Sequence, residues 1–284
     1  MSDNPWIDRR IVNFAHQGGS FEGPSSTLAA IAGGLAAGAT AIELDVHATK
    51  DRHLVVCHDE TVDRTTDGSG QICDLTLEQV RALDNAHWFI PGSDVAPGHE
   101  DEAYLLRGKA PVDHRYGIAT LSEVLEAFPG VTLNLDIKRT APEVEPYEEL
   151  LAQVLAEHGR SETVIVASFN DLAIGAFRRA SPTTPTSAAT LETAEFYRAV
   201  QAGEEPSVLD VVAFQVPETF GELTLVDQRF VDAAHGRDIA VHVWTINDEP
   251  AMRRLVELGV DGIISDRPTL LCEVLGDAAW GGGL

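Results

Sequence analysis

Lysine is scarce in this chain of 284 residues and occurs only at positions 50, 109 and 138. Acidic residues number 45 against 20 lysines and arginines, which gives a formal net charge of −25 at pH 7. A surface of this charge repels the phosphates of nucleic acids and of anionic lipids, so we expect no binding to either through the general surface. Any phosphate must therefore be bound locally, and Lys138, which lies beside carboxylates in a strand-like segment, is the lysine most relevant to such a site.

Cysteine is also rare, and long hydrophobic runs are missing. Cys57, Cys73 and Cys272 are odd in number and show no CxxC spacing, which argues against a disulfide framework and against a structural zinc site. We expect them to be reduced and mostly buried. No apolar run approaches the ~20 residues that a membrane-spanning helix needs, and the first residues lack the features of a secretory signal. The sequence therefore predicts a globular protein of the cytoplasm without a membrane span.

Short β-branched segments alternate with longer amphipathic segments along the whole chain, a pattern typical of βα units around a parallel sheet. Length alone leaves one barrel or two smaller domains open. Strands are predicted at residues 11–16, 41–46, 131–138, 163–168, 184–188, 211–216, 239–244 and 262–266. Helices are predicted at 26–37, 146–158, 171–180, 191–201, 225–235, 249–258 and 268–275. Eight strands suit a closed barrel, so the predicted fold is a single α/β domain over residues 1–284, a (β/α)8 TIM barrel.

Two segments interrupt this repeat after the second barrel strand. Residues 53–58 resemble an extra short strand, and residues 83–117 form a predicted irregular insertion rich in Pro, Gly and Asp. The insertion carries His87, Trp88, Phe89 and Tyr104. Two interpretations stay open: a substrate loop that covers the barrel mouth, or a surface excursion that packs its own aromatic residues.

The segment 41–47 has the strongest chemical pattern. Strand alternation places Glu43 and Asp45 on one face and the apolar residues between them on the other. In a barrel the apolar face packs against helices, so both carboxylates point inward near the C-terminal mouth. Two uncompensated carboxylates there are costly, whereas a divalent cation makes their proximity favourable. The alternative is a strand whose polar face is merely solvated.

The third barrel strand repeats the arrangement. Leu133, Leu135 and Ile137 share the helix side, which leaves Asp136 and Lys138 on the inner side. Asp136 completes a three-carboxylate site, and Lys138 supplies positive charge for a phosphoryl oxygen. Alternatively, these two residues form a structural ion pair.

Two histidines occur where general acid and base groups are needed, His16 after the first strand and His58 after the extra strand. Because histidine titrates near neutral pH, such a pair flanking a phosphate can transfer protons to and from it. Gly18-Gly19 after His16 permits a tight loop. Trp244, which alternates inward with His242, either forms a wall of the substrate cavity or fills the barrel interior.

Taken together, these motifs and others between them resemble the glycerophosphodiester phosphodiesterase family over nearly the whole chain. In order, the motifs are His16-Gln17-Gly18-Gly19, Ile42-Glu43-Leu44-Asp45-Val46, Val55-Val56-Cys57-His58-Asp59, Arg64-Thr65-Thr66, Ala119-Thr120-Leu121, Asn134-Leu135-Asp136-Ile137-Lys138, Ser168-Phe169, Trp244-Thr245 and Gly259-Val260-Asp261-Gly262-Ile263-Ile264-Ser265-Asp266. Each motif is modest alone, but their order and spacing together are specific.

The resemblance implies an enzyme that cleaves a small glycerophosphodiester to glycerol 3-phosphate and an alcohol, with Mg2+ or Ca2+ as cofactor. It implies a reaction in which the glycerol 2-hydroxyl attacks first and water then opens a cyclic phosphate. The roles that it implies are catalysis for His16 and His58, metal binding for Glu43, Asp45 and Asp136, and phosphate or substrate binding for Gln17, Lys138, Phe169 and Trp244.

Three positions depart from the family pattern. Gln17 replaces an arginine, Ser25-Ser26-Thr27 replaces Glu-Asn-Thr, and Asp136 replaces a glutamate. Gln17 can donate a hydrogen bond to phosphate but brings no charge, and Asp136 is one methylene shorter. Two other interpretations remain: a related barrel phospholipase of the D or phosphoinositide-specific C type, and a barrel that binds a phosphodiester without turning it over. The oligomeric state is left open.

Overall fold

The structure is a computed structural model that describes residues 4–7, 10–93, 95–138 and 140–281, with the backbone alone for 277–281. Both ends of the predicted domain, 1–3 and 282–284, lie outside the described residues. The strands are β1 (Val12–His16), β2 (Ala41–Ala48), β3 (Leu54–Val56), β4 (Thr132–Ile137), β5 (Val164–Ala167), β6 (Ala213–Pro217), β7 (Thr219–Phe220), β8 (Leu223–Thr224), β9 (Ala240–Trp244) and β10 (Gly262–Ser265). The α-helices are α1 (Leu28–Ala36), α2 (Leu77–Arg81), α3 (Leu121–Ala127), α4 (Glu148–Glu157), α5 (Asp171–Ala180), α6 (Thr190–Ala202), α7 (Gln228–His235), α8 (Glu249–Leu258) and α9 (Pro268–Gly281).

The parallel strands lie side by side in the order β5-β4-β2-β1-β10-β9-β6. The gap between β5 and β6 is closed by the segment 184–188, in which Thr186 forms a parallel bridge with Val166 and Ser187 forms one with Ala213. This segment takes the eighth place around the ring. The predicted α/β barrel is therefore confirmed.

Two isolated bridges, rather than a ladder, hold the eighth place because a proline interrupts it. Pro185 has no N–H to donate, yet its carbonyl accepts from the Val166 N–H at 2.9 Å. The Ser187 N–H in turn donates to the Val166 carbonyl at 3.0 Å. The strand predicted at 184–188 is thus extended and paired, but more briefly than its neighbours.

Alternation along the strands divides the apolar core as the sequence predicts. Leu44 on β2 and Leu135 on β4 point outward into a cluster with residues of α3, α4 and α5. A second cluster covers the outer faces of β6, β9 and β10. Inside the ring, Trp6, Phe14 and Ile264 belong to a third cluster. Inward positions closer to the C-terminal ends of β2 and β4 carry polar side chains.

Side-chain caps fix where several helices begin. The Thr27 hydroxyl accepts from the Ala30 N–H at 3.1 Å, and the Asn170 carboxamide oxygen accepts from the Leu172 N–H at 3.0 Å. The short helices α2 and α3 were not predicted, although Thr120 and Glu123 form a capping box at α3. Helices of five and seven residues carry too little apolar periodicity to be recognised. The hairpin β7–β8 was not predicted for the same reason.

The segment 83–117 packs its own aromatic residues. The Arg107 guanidinium lies over the rings of Trp88 and Tyr104, at 4.9 and 3.8 Å from their centroids. Asp101 and the His87 carbonyl hold the same guanidinium. Because no described residue of this segment lines the cavity at the barrel mouth, the structure favours the second of the two interpretations.

Two expectations from composition have mixed outcomes. All three cysteines are free thiols, but only Cys57 is buried, whereas Cys73 is half-buried and Cys272 is exposed. The expectation that most are buried is therefore wrong, because Cys272 lies on the outer face of α9. Within the described residues, no helix combines the length and apolar character that crossing a bilayer requires.

His242 is a buried histidine inside the barrel, in ring contact with Phe14 and Trp6 at 5.0 and 6.1 Å between centroids. Burial lowers its pKa from the ordinary value of 6.5 to about 4, because the imidazolium form loses its hydration there. The unfolded chain therefore binds a proton at His242 before the folded protein does. Stability from this residue is present above pH 6.5 and is lost as pH falls toward 4.

We predict that His242→Asn reduces the difference in unfolding free energy between pH 7 and pH 4.5 by on the order of 2 kcal/mol. The variant is less stable at pH 7, since packing is lost, but its stability falls less on acidification. Urea denaturation at both pH values measures this. His114→Asn, at an exposed position, is the matched control and should follow the wild type. An unchanged pH dependence in His242→Asn contradicts the assignment.

Candidate active site

A cavity of about 540 Å3 opens at the C-terminal ends of the barrel strands, the end at which barrel enzymes carry their active sites. Eight of the nine residues predicted for the site line it: His16, Glu43, Asp45, His58, Asp136, Lys138, Phe169 and Trp244. They come from different strand ends and from loops directly after them. Barrel closure thus brings together residues that are far apart in sequence.

Strand register places two carboxylates side by side. Asp45 on β2 and Asp136 on β4 are paired positions in a parallel ladder, so both side chains point into the barrel at the same height. The Lys138 ammonium lies between them, with Nζ 2.7 Å from Asp45 Oδ1 and 2.8 Å from Asp136 Oδ2. The ion pair weighed in the sequence analysis is therefore formed, and it involves both aspartates.

The electrostatics of this cluster reflect crowding of buried acids. Burial, reinforced by the charge of Asp45, holds the pKa of Glu43 well above its usual range. Burial likewise raises the pKa of Asp136, although Lys138 opposes the effect. The pKa of Lys138 is raised because the surrounding carboxylates outweigh its own burial. The cluster holds more carboxylates than one ammonium can neutralise.

The three carboxylates share one cavity, yet the described residues include no group of three acidic, histidine or cysteine side chains spaced to hold a metal ion. Lys138 Nζ lies between the two aspartates and contacts both. The donor chemistry nevertheless fits a hard divalent cation, because Asp45 Oδ2 and Asp136 Oδ1 are buried without a hydrogen-bond partner. The ligand assignment of Glu43, Asp45 and Asp136 stays a prediction.

His16, at the end of β1, is held by a carboxylate. Its Nδ1 lies 2.6 Å from Asp266 Oδ1, and Asp266 also accepts from the Ser20 hydroxyl at 2.7 Å and from the Asn247 amide at 2.6 Å. Burial acts to lower the pKa of His16, but Asp266 and the neighbouring Glu43 outweigh it and raise the pKa above its ordinary value. Its Nε2 is on the cavity side, 3.7 Å from Glu43 Oε2.

His58 follows β3 and has a carboxylate of its own. Its Nδ1 lies 2.6 Å from Asp59 Oδ1, and the other oxygen of Asp59 accepts from Arg64 Nε at 2.6 Å. Burial acts to raise the pKa of Asp59, but the hydrogen bonds from His58 and Arg64 hold it well below the usual range. The rings of His16 and His58 face each other edge to face, with centroids 5.7 Å apart. Two carboxylate-backed histidines thus meet at the barrel mouth.

The two backing carboxylates, Asp59 and Asp266, were not singled out from the sequence. Both were present in the quoted motifs, and a signal for Asp266 existed. It directly follows β10, and β10 pairs with β1 in a register that matches Ser265 with Ala15. In a closed barrel the last strand returns to the first, so the residue after β10 lies beside His16. Aligning β10 with β1 in a closed barrel therefore predicts the contact between Asp266 and His16.

Gln17 is the predicted residue that does not line the cavity. Its side chain is buried, with its carboxamide nitrogen 3.1 Å from His16 Nε2 and its carboxamide oxygen accepting from the Ser25 hydroxyl. Both Gln17 and Ser26 have positive φ, 54° and 57°, which is sparsely populated for residues other than glycine. The observed contacts connect Gln17 with His16, and a direct contact with phosphate stays a prediction.

Phe169 and Trp244 form an aromatic wall opposite the charged cluster. Their rings meet edge to face with centroids 5.5 Å apart, and Lys138 Nζ lies 5.8 Å from the Phe169 centroid. Trp244 is half-buried, lines the cavity and also packs against the cluster inside the barrel. Both positions proposed for Trp244 are therefore occupied by the same ring, and its role toward a substrate stays a prediction.

Comparison with known proteins gives a consistent result. The model of the glycerophosphoryl diester phosphodiesterase family matches residues 16–270. A glycerophosphodiester phosphodiesterase of Caldanaerobacter subterraneus subsp. tengcongensis is 30% identical over 268 residues, covering 94% of this chain and 98% of that relative. One of Bacillus subtilis is 31% identical over 277 residues, covering 93% of this chain and 86% of the relative.

Solved structures agree on the fold. A glycerophosphoryl diester phosphodiesterase domain from Mycobacterium tuberculosis has a TM-score of 0.75 at 22% identity and covers 94% of this chain and 99% of that one. An Oleispira antarctica phosphodiesterase in complex with the product sn-glycerol-3-phosphate has a TM-score of 0.69 at 25% identity, covering 93% and 96%. By class, the protein is a phosphoric diester hydrolase. It belongs to the glycerophosphodiester phosphodiesterase family.

We predict that Lys138→Met destabilises the fold at pH 8 by about 3 kcal/mol, because Asp45 and Asp136 then remain buried without a counter-charge. The loss is smaller at pH 5, because burial raises the pKa of Asp136 to about 6 and this carboxyl group can then take up a proton. Urea denaturation at both pH values tests this. Lys50→Met, at an exposed position, is the matched control. Equal destabilisation at both pH values by Lys138→Met contradicts the charge argument.

Proposed function

We propose that this chain, acting as one barrel domain, hydrolyses glycerophosphodiesters to glycerol 3-phosphate and an alcohol in a reaction that depends on Mg2+ or Ca2+. One observation carries the proposal: His16 and His58, each backed by its own aspartate, lie next to each other and line the same cavity as Lys138. A general acid and a general base beside a phosphate are what phosphodiester cleavage requires. The complex of the Oleispira antarctica relative with sn-glycerol-3-phosphate supports the product assignment.

The carboxylate that holds His16 supports an assignment of the first step. The hydrogen bond with Asp266 raises the pKa of His16, so His16 acts as the acid and donates a proton from Nε2 to the oxygen of the leaving alcohol. His58 accepts the proton of the glycerol 2-hydroxyl as that oxygen attacks phosphorus. The P–O bond to the alcohol breaks and a cyclic phosphate forms. In the second step the roles reverse: His16 accepts a proton from the attacking water, and His58 returns its proton to the 2-oxygen.

Positive charge at the phosphate comes from two sources. Lys138 has three N–H groups, and its contacts with Asp45 and Asp136 use two of them, so the third is available to a phosphoryl oxygen. A divalent cation held by Glu43, Asp45 and Asp136 supplies further charge when it is bound. The described residues that line the cavity include no arginine.

Gln17 and the aspartates act on the substrate through the histidines. Asp59 fixes the imidazole ring of His58 and Asp266 fixes that of His16, as carboxylates do in other acid–base pairs. The Gln17 carboxamide nitrogen lies 3.1 Å from His16 Nε2 and can donate a hydrogen bond to that nitrogen once His16 has given up its proton. The cytoplasmic location and the oligomeric state stay predictions.

A panel of glycerophosphodiesters, assayed for release of glycerol 3-phosphate, tests the proposal and its metal dependence together. With Mg2+ or Ca2+ we expect turnover of glycerophosphocholine, glycerophosphoethanolamine or glycerophosphoglycerol, and loss of turnover after exhaustive chelation. Binding without turnover indicates a non-catalytic barrel. Hydrolysis of intact phospholipids alone indicates a phospholipase.

Cation binding has a second readout in the same experiment, the thermal midpoint. Saturating Mg2+ or Ca2+ should raise Tm by ~5 °C, because a ligand that binds only the folded state stabilises it. Asp45→Asn should abolish the shift. Asp232→Asn, on the exposed face of α7, is the matched control.

We predict that His16→Ala and His58→Ala each lower kcat by roughly a hundredfold or more, the usual scale for a general acid or base. The double variant should lose little beyond either single one, because the two groups act in the same proton transfers. Asp266→Asn should show a smaller loss, since it acts through His16. His53→Ala, at an exposed histidine, is the matched control. Near wild-type kcat in either single variant removes that histidine from the mechanism.

A further inference from the structure

The side chains that line the cavity divide into a charged half and an uncharged half. The charged half comes from β1, β2, β4 and the residues just after β3 and β4: His16, Glu43, Asp45, His58, Asp136 and Lys138. The described lining residues from Ala167 onward include no charged side chain. Beside the charged half lies the loop of residues 17–27, which begins where the Gln17 N–H donates to the Glu43 carbonyl at 3.0 Å.

Two consecutive residues of this loop hold Gln17. The Ser25 hydroxyl donates to the Gln17 carboxamide oxygen, which leaves the carboxamide nitrogen facing His16 Nε2 at 3.1 Å. The Ser26 N–H donates to the Gln17 carbonyl at 2.8 Å. The side chain and the backbone of Gln17 are therefore both fixed by the same short stretch of chain.

Asn85 holds that stretch from the other side. Its carboxamide nitrogen donates to the Ser25 carbonyl at 2.9 Å, and its carboxamide oxygen accepts from the Thr65 hydroxyl at 2.5 Å. Because a carbonyl only accepts, these two neighbours fix which way the carboxamide is turned. Thr65, Asn85, Ser25 and Gln17 are all buried. They form a continuous chain in which every hydrogen bond is donated toward His16.

Backbone strain makes the contact with Asn85 necessary. Ser26 has a φ of 57° and Gln17 a φ of 54°, values that residues other than glycine sparsely populate. Such conformations persist only where the surroundings hold them. Rotation of the peptide between Ser25 and Ser26 would relieve the strain, and Asn85 opposes this rotation because it holds the carbonyl of that peptide. Without Asn85, Gln17 is free to leave its place beside His16.

Asn85 belongs to the segment 83–117, which contacts the loop at a second point. The Gly92 N–H donates to the Phe21 carbonyl at 2.7 Å. The Trp88 indole N–H donates to the Thr66 carbonyl at 3.0 Å, which fixes the segment beside Thr65. The segment therefore packs against the loop that carries Gln17, although none of its described residues lines the cavity.

We propose that Asn85 is a positioning residue for His16, acting through Ser25 and Gln17, and that the segment 83–117 supports catalysis in this way from outside the cavity. The inference rests on the proposed function, in which His16 must keep one orientation during proton transfer. Asn85 does not line the cavity, so binding of the phosphate at Lys138 should not depend on it.

The first test is Asn85→Leu, a variant of similar size that loses both hydrogen bonds. In the assay of glycerophosphodiester turnover we expect kcat to fall about five- to tenfold, because a misplacement of only ~1 Å can cost a hundredfold. KM should stay within about twofold of the wild type, since ground-state binding is unchanged. A wild-type kcat in Asn85→Leu overturns the proposal.

Tyr104→Phe is the matched control for a general loosening of the segment. The buried Tyr104 hydroxyl donates to the Ala96 carbonyl at 2.6 Å and accepts from the His99 N–H at 3.0 Å. Its loss thus also removes two hydrogen bonds from the segment 83–117, but none from the chain that leads to His16. We expect Tyr104→Phe to lower Tm as Asn85→Leu does while kcat stays at the wild-type value. An equal loss of kcat in both variants contradicts a specific role for Asn85.

The His16→Ala background shows whether Asn85 acts through His16. If it does, adding Asn85→Leu to His16→Ala should leave the residual kcat unchanged, because residues that act through one group are not additive. Gln17→Ala should behave in the same way. A further loss in the His16→Ala background, as large as in the wild type, means that Asn85 acts by another route and that the proposal is wrong.

A second readout does not need turnover. In 1H–13C spectra of the histidine rings, the His16 signal is identified by its absence in His16→Ala. Asn85→Leu should shift this signal and leave that of the exposed His53 in place, and an unmoved His16 signal overturns the proposal. If no glycerophosphodiester is hydrolysed, the proposed function fails while this spectrum still decides the positioning. Thr65→Val, a milder variant, should give the same changes at a smaller size if Asn85→Leu does not fold.

Discussion

The register between β2 and β4 is the constraint on which the site depends. Because the two strands run parallel with Asp45 opposite Asp136, both carboxylates point into the same buried part of the barrel interior. Burial of like charges is tolerated only with compensation, and Lys138, two residues beyond Asp136, provides part of it. Asp45 Oδ2 and Asp136 Oδ1 have no hydrogen-bond partner among the described residues, so further positive charge beside them would be stabilising. The scarcity of lysine elsewhere makes this one placement more informative.

Closure of the ring provides the other half of the chemistry. The last strand, β10, returns to β1, and this return places Asp266 against His16. His58 needs no such return, because Asp59 is its neighbour in the chain. The two histidines are therefore oriented by different means, one through tertiary closure and one through a local pair. A change that disturbs the pairing of β10 with β1 should therefore disturb the orientation of His16 more than that of His58.

The sequence predicted much of this arrangement, and the failures have physical causes. The barrel, its strand positions and the inward direction of Glu43, Asp45 and Asp136 follow from period-two alternation, which is strong in short buried strands. The orientation of Gln17 does not follow, because it depends on a left-handed backbone and on Ser25 eight residues away. The Lys138 bridge to Asp45 depends on cross-strand register, which a single sequence does not reveal. The exposed tip of the hairpin β7–β8 has too few residues to show any period.

The division of the cavity into a charged and an uncharged half follows the order of the chain. With the exception of Asp266, the groups assigned to chemistry lie between residues 16 and 138, whereas the uncharged wall lies between residues 167 and 245. The reacting groups and the uncharged wall thus come from two successive segments of the chain rather than from alternating ones. Exchanging the second segment between related barrels would change the wall of the cavity while the reacting groups stay, because His16 and Asp266 both lie outside it.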